Sequence, residues 1–210
     1  MIFRDRHDAG RQLASLLEDR YCGEEGVVYA LPRGGVPLAA LVAKALQMPM
    51  DLVIPRKIGH PNNPEYAICA VAEGGELLCN ESEREYVDES WLQRQVIEAV
   101  EEARRRREQY LVGRNPLPIR GKTAVVVDDG IATGLTMRAA ICDIKSRCPA
   151  RIVVAIPVIP ADTYAMLQTE VDDVVAILVE RTYLGAVGSY YLDFPQLDDR
   201  DVIELMMEQG

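Results

Sequence analysis

Two adjacent carboxylates, Asp128 and Asp129, stand between an apolar run and a turn of small residues. The run at residues 123–127 predicts a buried strand, and residues 136–146 predict an amphipathic helix. A strand that passes through a glycine turn into a helix directs free backbone N–H groups and the positive end of the helix dipole at one point. The sequence therefore predicts an anion site, most simply for a phosphate. Its residues are Gly130, Ile131, Ala132, Thr133, Gly134 and Thr136.

The acid pair must face a different partner, because two carboxylates in contact with a phosphate would repel it. A carboxylate accepts hydrogen bonds strongly and is a hard oxygen ligand, so the vicinal hydroxyls of a sugar, or a divalent metal bound with them, fit this position. We therefore expect a sugar 5-phosphate, with its phosphate in the turn and its diol on Asp128 and Asp129. A Walker A loop is excluded, because no Gly-Lys-Ser/Thr follows the glycines.

Two shorter stretches with anion-binding chemistry also follow predicted strands. One comes after the strand at residues 27–31, and the other after the strand at residues 51–55. Glycines let the backbone approach a ligand closely, and cationic side chains form charge-assisted hydrogen bonds with phosphate oxygens. Alone, each stretch is also typical of a structural turn or a solvated edge. The residues are Arg33, Gly34, Gly35, Arg56 and Lys57.

The remaining apolar runs predict the fold. Near-continuous Val, Ile and Ala at residues 151–159 and 173–179 indicate strands that are covered on both faces, hence a parallel sheet with right-handed crossovers. We predict an α/β fold, an open, mainly parallel twisted sheet with helices on both faces. In such a sheet ligands bind at the carboxyl ends of the strands, where all three stretches fall. Further helices are predicted at residues 5–19, 36–46, 89–112, 161–169 and 198–207.

The stretch VVVDDGIATGLT resembles the ribose-phosphate loop of type I phosphoribosyltransferases, which bind 5-phosphoribosyl-1-pyrophosphate (PRPP). The resemblance implies that the 5-phosphate lies on residues 130–134 and Thr136, and the ribose hydroxyls on Asp128 and Asp129. It implies Mg²⁺ as cofactor, held mainly through PRPP, with the two acids as further candidate ligands. The implied pyrophosphate site and the remaining catalytic candidates are Arg33, Gly34, Gly35, Arg56, Lys57 and Glu65.

The resemblance also implies two accessory parts of one phosphoribosyltransferase domain that covers residues 1–210, with its core at about residues 20–180. Residues 58–88 begin with a stretch rich in Gly, Pro and Asn, and the side chains that follow alternate enough for one or two short strands. This pattern predicts a flexible hairpin flap that excludes water from the site. The chain ends, at about residues 1–20 and 181–210, match a small hood that supplies the acceptor pocket in the family. Candidate base-binding residues are Tyr190, Tyr191, Asp193 and Phe194, although core packing of the rings is equally compatible with the sequence.

The implied function is Mg²⁺-dependent transfer of the 5-phosphoribosyl group from PRPP to a nitrogenous base, a glycosyltransferase (pentosyltransferase) reaction of nucleotide salvage and nucleoside metabolism. Two alternatives stay open: a sensor that binds PRPP or a nucleotide without turnover, and a hydrolase with Asp128 as nucleophile. The acceptor base is undefined. Ala132 stands where members acting on hypoxanthine or guanine usually carry an acid, which weakens the case for those bases.

Composition excludes several other classes. The net charge is −10 and the pI about 4.8, which argues against a nucleic-acid partner. No apolar run approaches the length of a membrane span, so we expect no membrane partner and a cytoplasmic protein, paired as a homodimer by family analogy. The five cysteines include no C-x-x-C spacing, which predicts free thiols without zinc or a disulfide framework. The arginines at residues 104–107 are predicted to lie on a solvated helix face.

Overall fold

A parallel sheet of five strands lies at the centre of the computed structural model, which describes residues 3–209 and, of Glu65, the backbone. All four pairs of neighbouring strands in this sheet are parallel. The predicted α/β fold with a mainly parallel sheet is therefore confirmed. Numbered along the chain, the strands in spatial order are β2 (Met50–Leu52), β1 (Gly26–Ala30), β6 (Thr123–Val127), β7 (Arg151–Pro160) and β8 (Asp173–Glu180).

Helices cover both faces of this sheet because its strands bury every second side chain on each side. Val125 and Val127 of β6 pack in one core with the helices α1 (Arg6–Tyr21), α2 (Val36–Leu46) and α7 (Asp199–Glu208). Val126 packs in the opposite core with α5 (Leu135–Ser146) and α6 (Ala161–Leu167). Within residues 3–209, no helix combines the length and the apolar character that a membrane span would require.

The segment predicted as a flap forms a second, antiparallel sheet, here called the flap sheet, with β4 (Asn63–Val71) between β3 (Arg56–His60) and β5 (Leu77–Cys79). Its apolar side packs on the long helix α4 (Glu89–Leu111), where Ile58 and Ile68 meet Leu92. The predicted strand at residues 51–55 is wrong at its end, because β2 stops at Leu52 and Pro55 has no N–H for a ladder. A short helix, α3 (Glu81–Arg84), lies between β5 and α4 along the chain.

A disulfide joins Cys69 of β4 to Cys79 of β5. The prediction of free thiols was wrong for these two residues, because they lie directly opposite each other across an antiparallel pair. That pairing depends on strand register, which the cysteine spacing does not reveal. Within the described chain the other three cysteines, Cys22, Cys142 and Cys148, are unpaired.

Arg107 is buried, so the prediction of a solvated arginine block was wrong for this residue. Its guanidinium donates hydrogen bonds to Asp51 Oδ1 at 2.7 Å and to Glu73 Oε1 at 3.1 Å. Arg147, at the end of α5, also donates to Glu73 Oε1, at 3.0 Å. This buried charge cluster (Asp51, Glu73, Asp143, Arg107 and Arg147) joins the base of the flap sheet to α4, α5 and the central sheet. By contrast, Arg105 and Arg106 pair with Glu102 on the outer face of α4.

We expect Cys79→Ser to lower the free energy of unfolding by at most about 3 kcal/mol, because the bond closes a short loop whose entropy in the unfolded chain it restricts. Urea denaturation of the oxidised protein measures this change. Cys148→Ser, at an exposed unpaired cysteine, is the control and should leave the midpoint unchanged. Equal midpoints for wild type and Cys79→Ser would contradict the disulfide.

We expect Arg107→Met to lower the free energy of unfolding by about 3–5 kcal/mol, because the change leaves buried carboxylates without their charge partner. The matched variant Arg105→Met removes an exposed ion pair and should leave the free energy of unfolding almost unchanged. Denaturant titrations of both variants make the comparison. Similar losses for the two variants would show that the cluster is not the buried ion pair described above.

Candidate active site

The turn between β6 and α5 lines a cavity of about 220 Å³. Gly134 begins α5 in the left-handed region at φ +78°, a conformation that favours glycine and lets the chain turn directly into the helix. Among the described residues no side chain caps the first turn of α5, so its N–H groups stay available to an anion. We call residues 128–136 the phosphate loop. The lining residues are Lys57, Asp128, Gly130, Ile131, Ala132, Thr133, Gly134, Thr136, Met137 and Val187.

The loop at residues 32–35, here called the Gly34 loop, lies against the acid pair because β1 and β6 are neighbours in the sheet. The contact is close: a Cβ atom built on Gly34 would lie 2.1 Å from Asp129 Oδ2. A glycine is thus required for the backbone to approach this carboxylate. The structure therefore brings together two of the three stretches that the sequence singled out, the Gly34 loop and the turn that follows the acid pair.

Asp129 is held by residues from both ends of the chain. Its Oδ2 atom accepts a hydrogen bond from Arg6 Nε at 2.9 Å, and its main-chain oxygen accepts one from the Tyr191 hydroxyl at 2.6 Å. The guanidinium of Arg6 also donates to the main-chain oxygen of Pro195 and lies 3.7 Å from the centre of the Phe194 ring. Arg6 was not predicted, because its contact with Asp129 spans 123 positions and nothing near it in the sequence marks it.

Asp128 has different surroundings. Its carboxylate lines the cavity beside Lys57, and its Oδ1 atom accepts a hydrogen bond from Asp129 N at 2.9 Å. Burial, and next the neighbouring Asp129, raise the pKa of Asp128 well above its usual range, while Lys57 opposes the change. Burial also raises the pKa of Asp129, but there Arg6 opposes it. The acid pair thus has one carboxylate in an ion pair and one turned to the cavity.

The predicted cations are divided among three places. Lys57 lines the phosphate-loop cavity, whereas Arg56 and Lys57 together border a groove of about 280 Å³ against α4. Burial lowers the pKa of Arg56, with Arg106 adding to the effect. Arg33 Nη1 lies 3.6 Å from Asp199 Oδ1 and borders a second recess. Glu65 belongs to β4, but its side chain lies outside what the structure describes.

The second recess, of about 340 Å³, lies between the Gly34 loop and the C-terminal segment. Of the four predicted base-binding residues, Phe194 lines this recess. Tyr190 and Tyr191 are buried, which matches the alternative of core packing, and Asp193 is exposed. Residues 1, 2 and 210 of the predicted hood lie outside the described residues. The recess is lined by Arg6, Arg33, Gly34, Asp129, Val187, Phe194, Gln196 and Leu197.

Comparison with known families and proteins gives concordant results. A family model described as "Phosphoribosyl transferase domain" matches residues 4–193. Two proteins of Mycobacterium tuberculosis, "Putative phosphoribosyl transferase MT0597" of strain CDC 1551 and "Putative phosphoribosyl transferase Rv0571c" of strain H37Rv, are each 40% identical over 210 residues. The match covers 98% of this chain and 46% of each relative, so the chain spans about half the length of the curated relatives it matches.

Solved structures resemble the chain over most of its length. The protein TT1426 from Thermus thermophilus is 41% identical, covers 100% of both chains and superposes with a TM-score of 0.84. A hypoxanthine phosphoribosyltransferase from Staphylococcus aureus superposes with a TM-score of 0.50 at 11% identity, over 87% of this chain and 79% of that one. At that identity the second likeness concerns the fold alone.

We expect Gly34→Ala to cost about 1–3 kcal/mol of unfolding free energy, because the new methyl group would overlap the Asp129 carboxylate. Shortening that side chain should relieve the overlap. Gly34→Ala should therefore cost much less in an Asp129→Ala background than in the wild type. Urea titrations of the four proteins of this cycle measure the difference. An equal cost in both backgrounds would contradict the close approach.

Proposed function

Because the chain belongs to the phosphoribosyl transferase domain family, we propose that it transfers the 5-phosphoribosyl group of PRPP to a nitrogenous base and releases pyrophosphate. This makes it a glycosyltransferase of the pentosyltransferase type. The observation that carries the proposal is the contact between Gly34 and Asp129, which joins the phosphate loop and the Gly34 loop at the carboxyl edge of the sheet. A sugar that carries phosphate groups at both ends needs two such anion sites flanking a diol site.

In the proposed complex each part of PRPP binds a different part of the site. In the proposal the 5-phosphate lies in the phosphate loop, on the N–H groups of residues 130–134 and the hydroxyls of Thr133 and Thr136. The ribose hydroxyls donate hydrogen bonds to Asp128, whose carboxylate lines the same cavity. The pyrophosphate extends toward Arg33 and the Gly34 loop, with Lys57 at the cavity wall. Arg56 would reach the ligand from the neighbouring groove.

The residues present are compatible with Mg²⁺ bound together with the substrate. Within residues 3–209 no cluster of three or more His, Cys, Asp or Glu side chains could hold a metal by itself. Mg²⁺ commonly binds through one or two carboxylates, waters and substrate phosphates, and Asp128 supplies one carboxylate at the cavity wall. When bound, Mg²⁺ would neutralise part of the charge on the leaving pyrophosphate.

The chain's own groups would stabilise charge and orient the substrates. Lys57 and Arg33 would stabilise the negative charge that grows on the departing pyrophosphate. The two loops would orient the sugar so that the base attacks C1 from the opposite face. We place the base toward the second recess, beside Val187 and Phe194, since Val187 borders both the recess and the phosphate-loop cavity. This reaction requires no covalent nucleophile from the protein.

Several finer points of the proposal rest on the sequence. Ala132, at the cavity, still weakens the case for hypoxanthine or guanine as acceptor. A single domain, a flexible flap, a cytoplasmic location, a homodimer and a role in nucleotide salvage stay predictions. The recess does not by its lining select one base over another, because it combines apolar, cationic, acidic and amide side chains.

We expect Mg²⁺-dependent pyrophosphate release from PRPP with at least one member of a panel of purines, pyrimidines and related nitrogen heterocycles. Asp128→Asn should lower PRPP affinity at least about tenfold, because it removes charge-assisted hydrogen bonds to the ribose. Asp19→Asn, an exposed substitution on α1, is the control and should match the wild type.

The outcomes separate the three functions. PRPP binding without release across the panel would favour the sensor, and a phosphoryl group on Asp128 would favour the hydrolase. The absence of both PRPP binding and pyrophosphate release would overturn the proposed function. Equal PRPP affinity in Asp128→Asn and Asp19→Asn would show that Asp128 does not hold the ribose.

A further inference from the structure

The acid pair is asymmetric, and Arg6 causes the asymmetry. We propose that Arg6 is a positioning residue that fixes Asp129 against the Gly34 loop and leaves Asp128 as the acid that meets the ligand. The inference rests on the proposed function for the identity of that ligand, PRPP. Its structural part, the fixing of Asp129 by Arg6, can be tested without any ligand.

Arg6 has little freedom to leave this position. Its side chain is only 9% exposed, and it donates from Nε to Asp129 Oδ2 and from Nη1 to Pro195 O at 2.7 Å. The guanidinium plane also lies over the Phe194 ring, 3.7 Å from its centre. A buried guanidinium is costly unless it is paired and hydrogen-bonded, so these contacts restrain it to one arrangement.

Asp129 is confined from several sides as a result. Arg6 binds its carboxylate, the Gly34 backbone abuts the same oxygen, and the Tyr191 hydroxyl holds its main-chain oxygen. Among the residues that the structure describes, Asp128 has no comparable clamp, and it faces the cavity beside Lys57. Asp129 also lines the second recess, but its Oδ2 atom already has the Arg6 guanidinium and the Gly34 backbone against it, so this oxygen is not free to bind a sugar diol.

The ion pair also reduces the electrostatic repulsion at the site. Two adjacent carboxylates next to an anion loop repel each other and a phosphorylated ligand. Arg6 compensates one of the two charges from a fixed position. Lys57, an exposed and flexible side chain, is left to interact with Asp128 or with the ligand.

Arg6 further connects the acid pair to the chain ends. It is the first residue of α1. The start of this helix is fixed by the Asp5 side chain, which accepts a hydrogen bond from Asp8 N at 2.7 Å. Shortly before it, Phe3 pairs with Tyr191 as an isolated parallel bridge. The position of the terminal segments thus determines where Asp129 lies, and through it the separation of the phosphate loop and the Gly34 loop.

The kinetic test compares Arg6→Met, Arg6→Lys and the control Arg11→Met, an exposed arginine on the same helix. We expect Arg6→Met to raise the KM for PRPP at least about tenfold with a much smaller change in kcat, because the pair orders the binding site rather than the reacting atoms. Arg6→Lys keeps the charge and should recover part of the affinity. Arg11→Met should behave as the wild type. An unchanged KM in Arg6→Met, or equal defects in the Met and Lys variants, would overturn the proposal.

A structural test without ligand distinguishes failure of this inference from failure of the proposed function. In crystal structures of Arg6→Met and Arg6→Lys, we expect the Asp129 carboxylate to leave its contact with Gly34 in the first variant and to keep it in the second. A carboxylate that stays in place in Arg6→Met would overturn the positioning role. If Arg6→Met does not fold, Asp129→Asn replaces it, and the Arg6 side chain is expected to lose its fixed position over Phe194. If the wild type does not bind PRPP, the proposed function is refuted, but the fixing of Asp129 by Arg6 is not.

Discussion

The compensation of two adjacent negative charges is the constraint on which this site depends. Asp128 and Asp129 directly follow a strand that is buried along its whole length, so the backbone that carries both acids is anchored in the core. Each has a cation within its surroundings, a rigid guanidinium for Asp129 and a flexible ammonium for Asp128. The two cations come from distant parts of the chain, α1 and β3. The fold around the acids thus places one cation next to each carboxylate.

The central sheet supplies this arrangement through strand order. Because β1 and β6 are neighbours and parallel, the loops that follow them open at the same edge and touch at Gly34 and Asp129. The flap sheet begins at Arg56 and brings Lys57 over that edge. The chain ends meet through the Phe3–Tyr191 bridge and close the remaining side. Positions far apart in sequence therefore surround one small volume.

The parts of the fold that depend on local pattern were predictable, and the parts that depend on register were not. The apolar run and glycine turn around Asp128 identify a strand, a loop and a helix within a short window, so the α/β fold and the strand–turn–helix that carries the acid pair could be predicted, whereas phosphate binding by that turn stays a prediction. Arg6 and Arg107 lie among other arginines on amphipathic helices, and their partners are identified only once the tertiary fold is known. The Cys69–Cys79 bond depends on how β4 and β5 align. The tyrosines at 190 and 191 were ambiguous because an aromatic side chain suits a core and a binding pocket equally.

The buried charge cluster has a mechanical consequence for the flap sheet. Glu73 fixes the end of β4 to α4 and α5, and the disulfide fixes β5 to β4, so the base of the hairpin moves only with the body of the protein. Farther out, the pairing of β3 with β4 is interrupted by register shifts around Gly59. Strands bend at such irregularities. The hairpin is therefore held at its base and irregular toward its tip, and we expect any movement of the tip to bend the strands near Gly59.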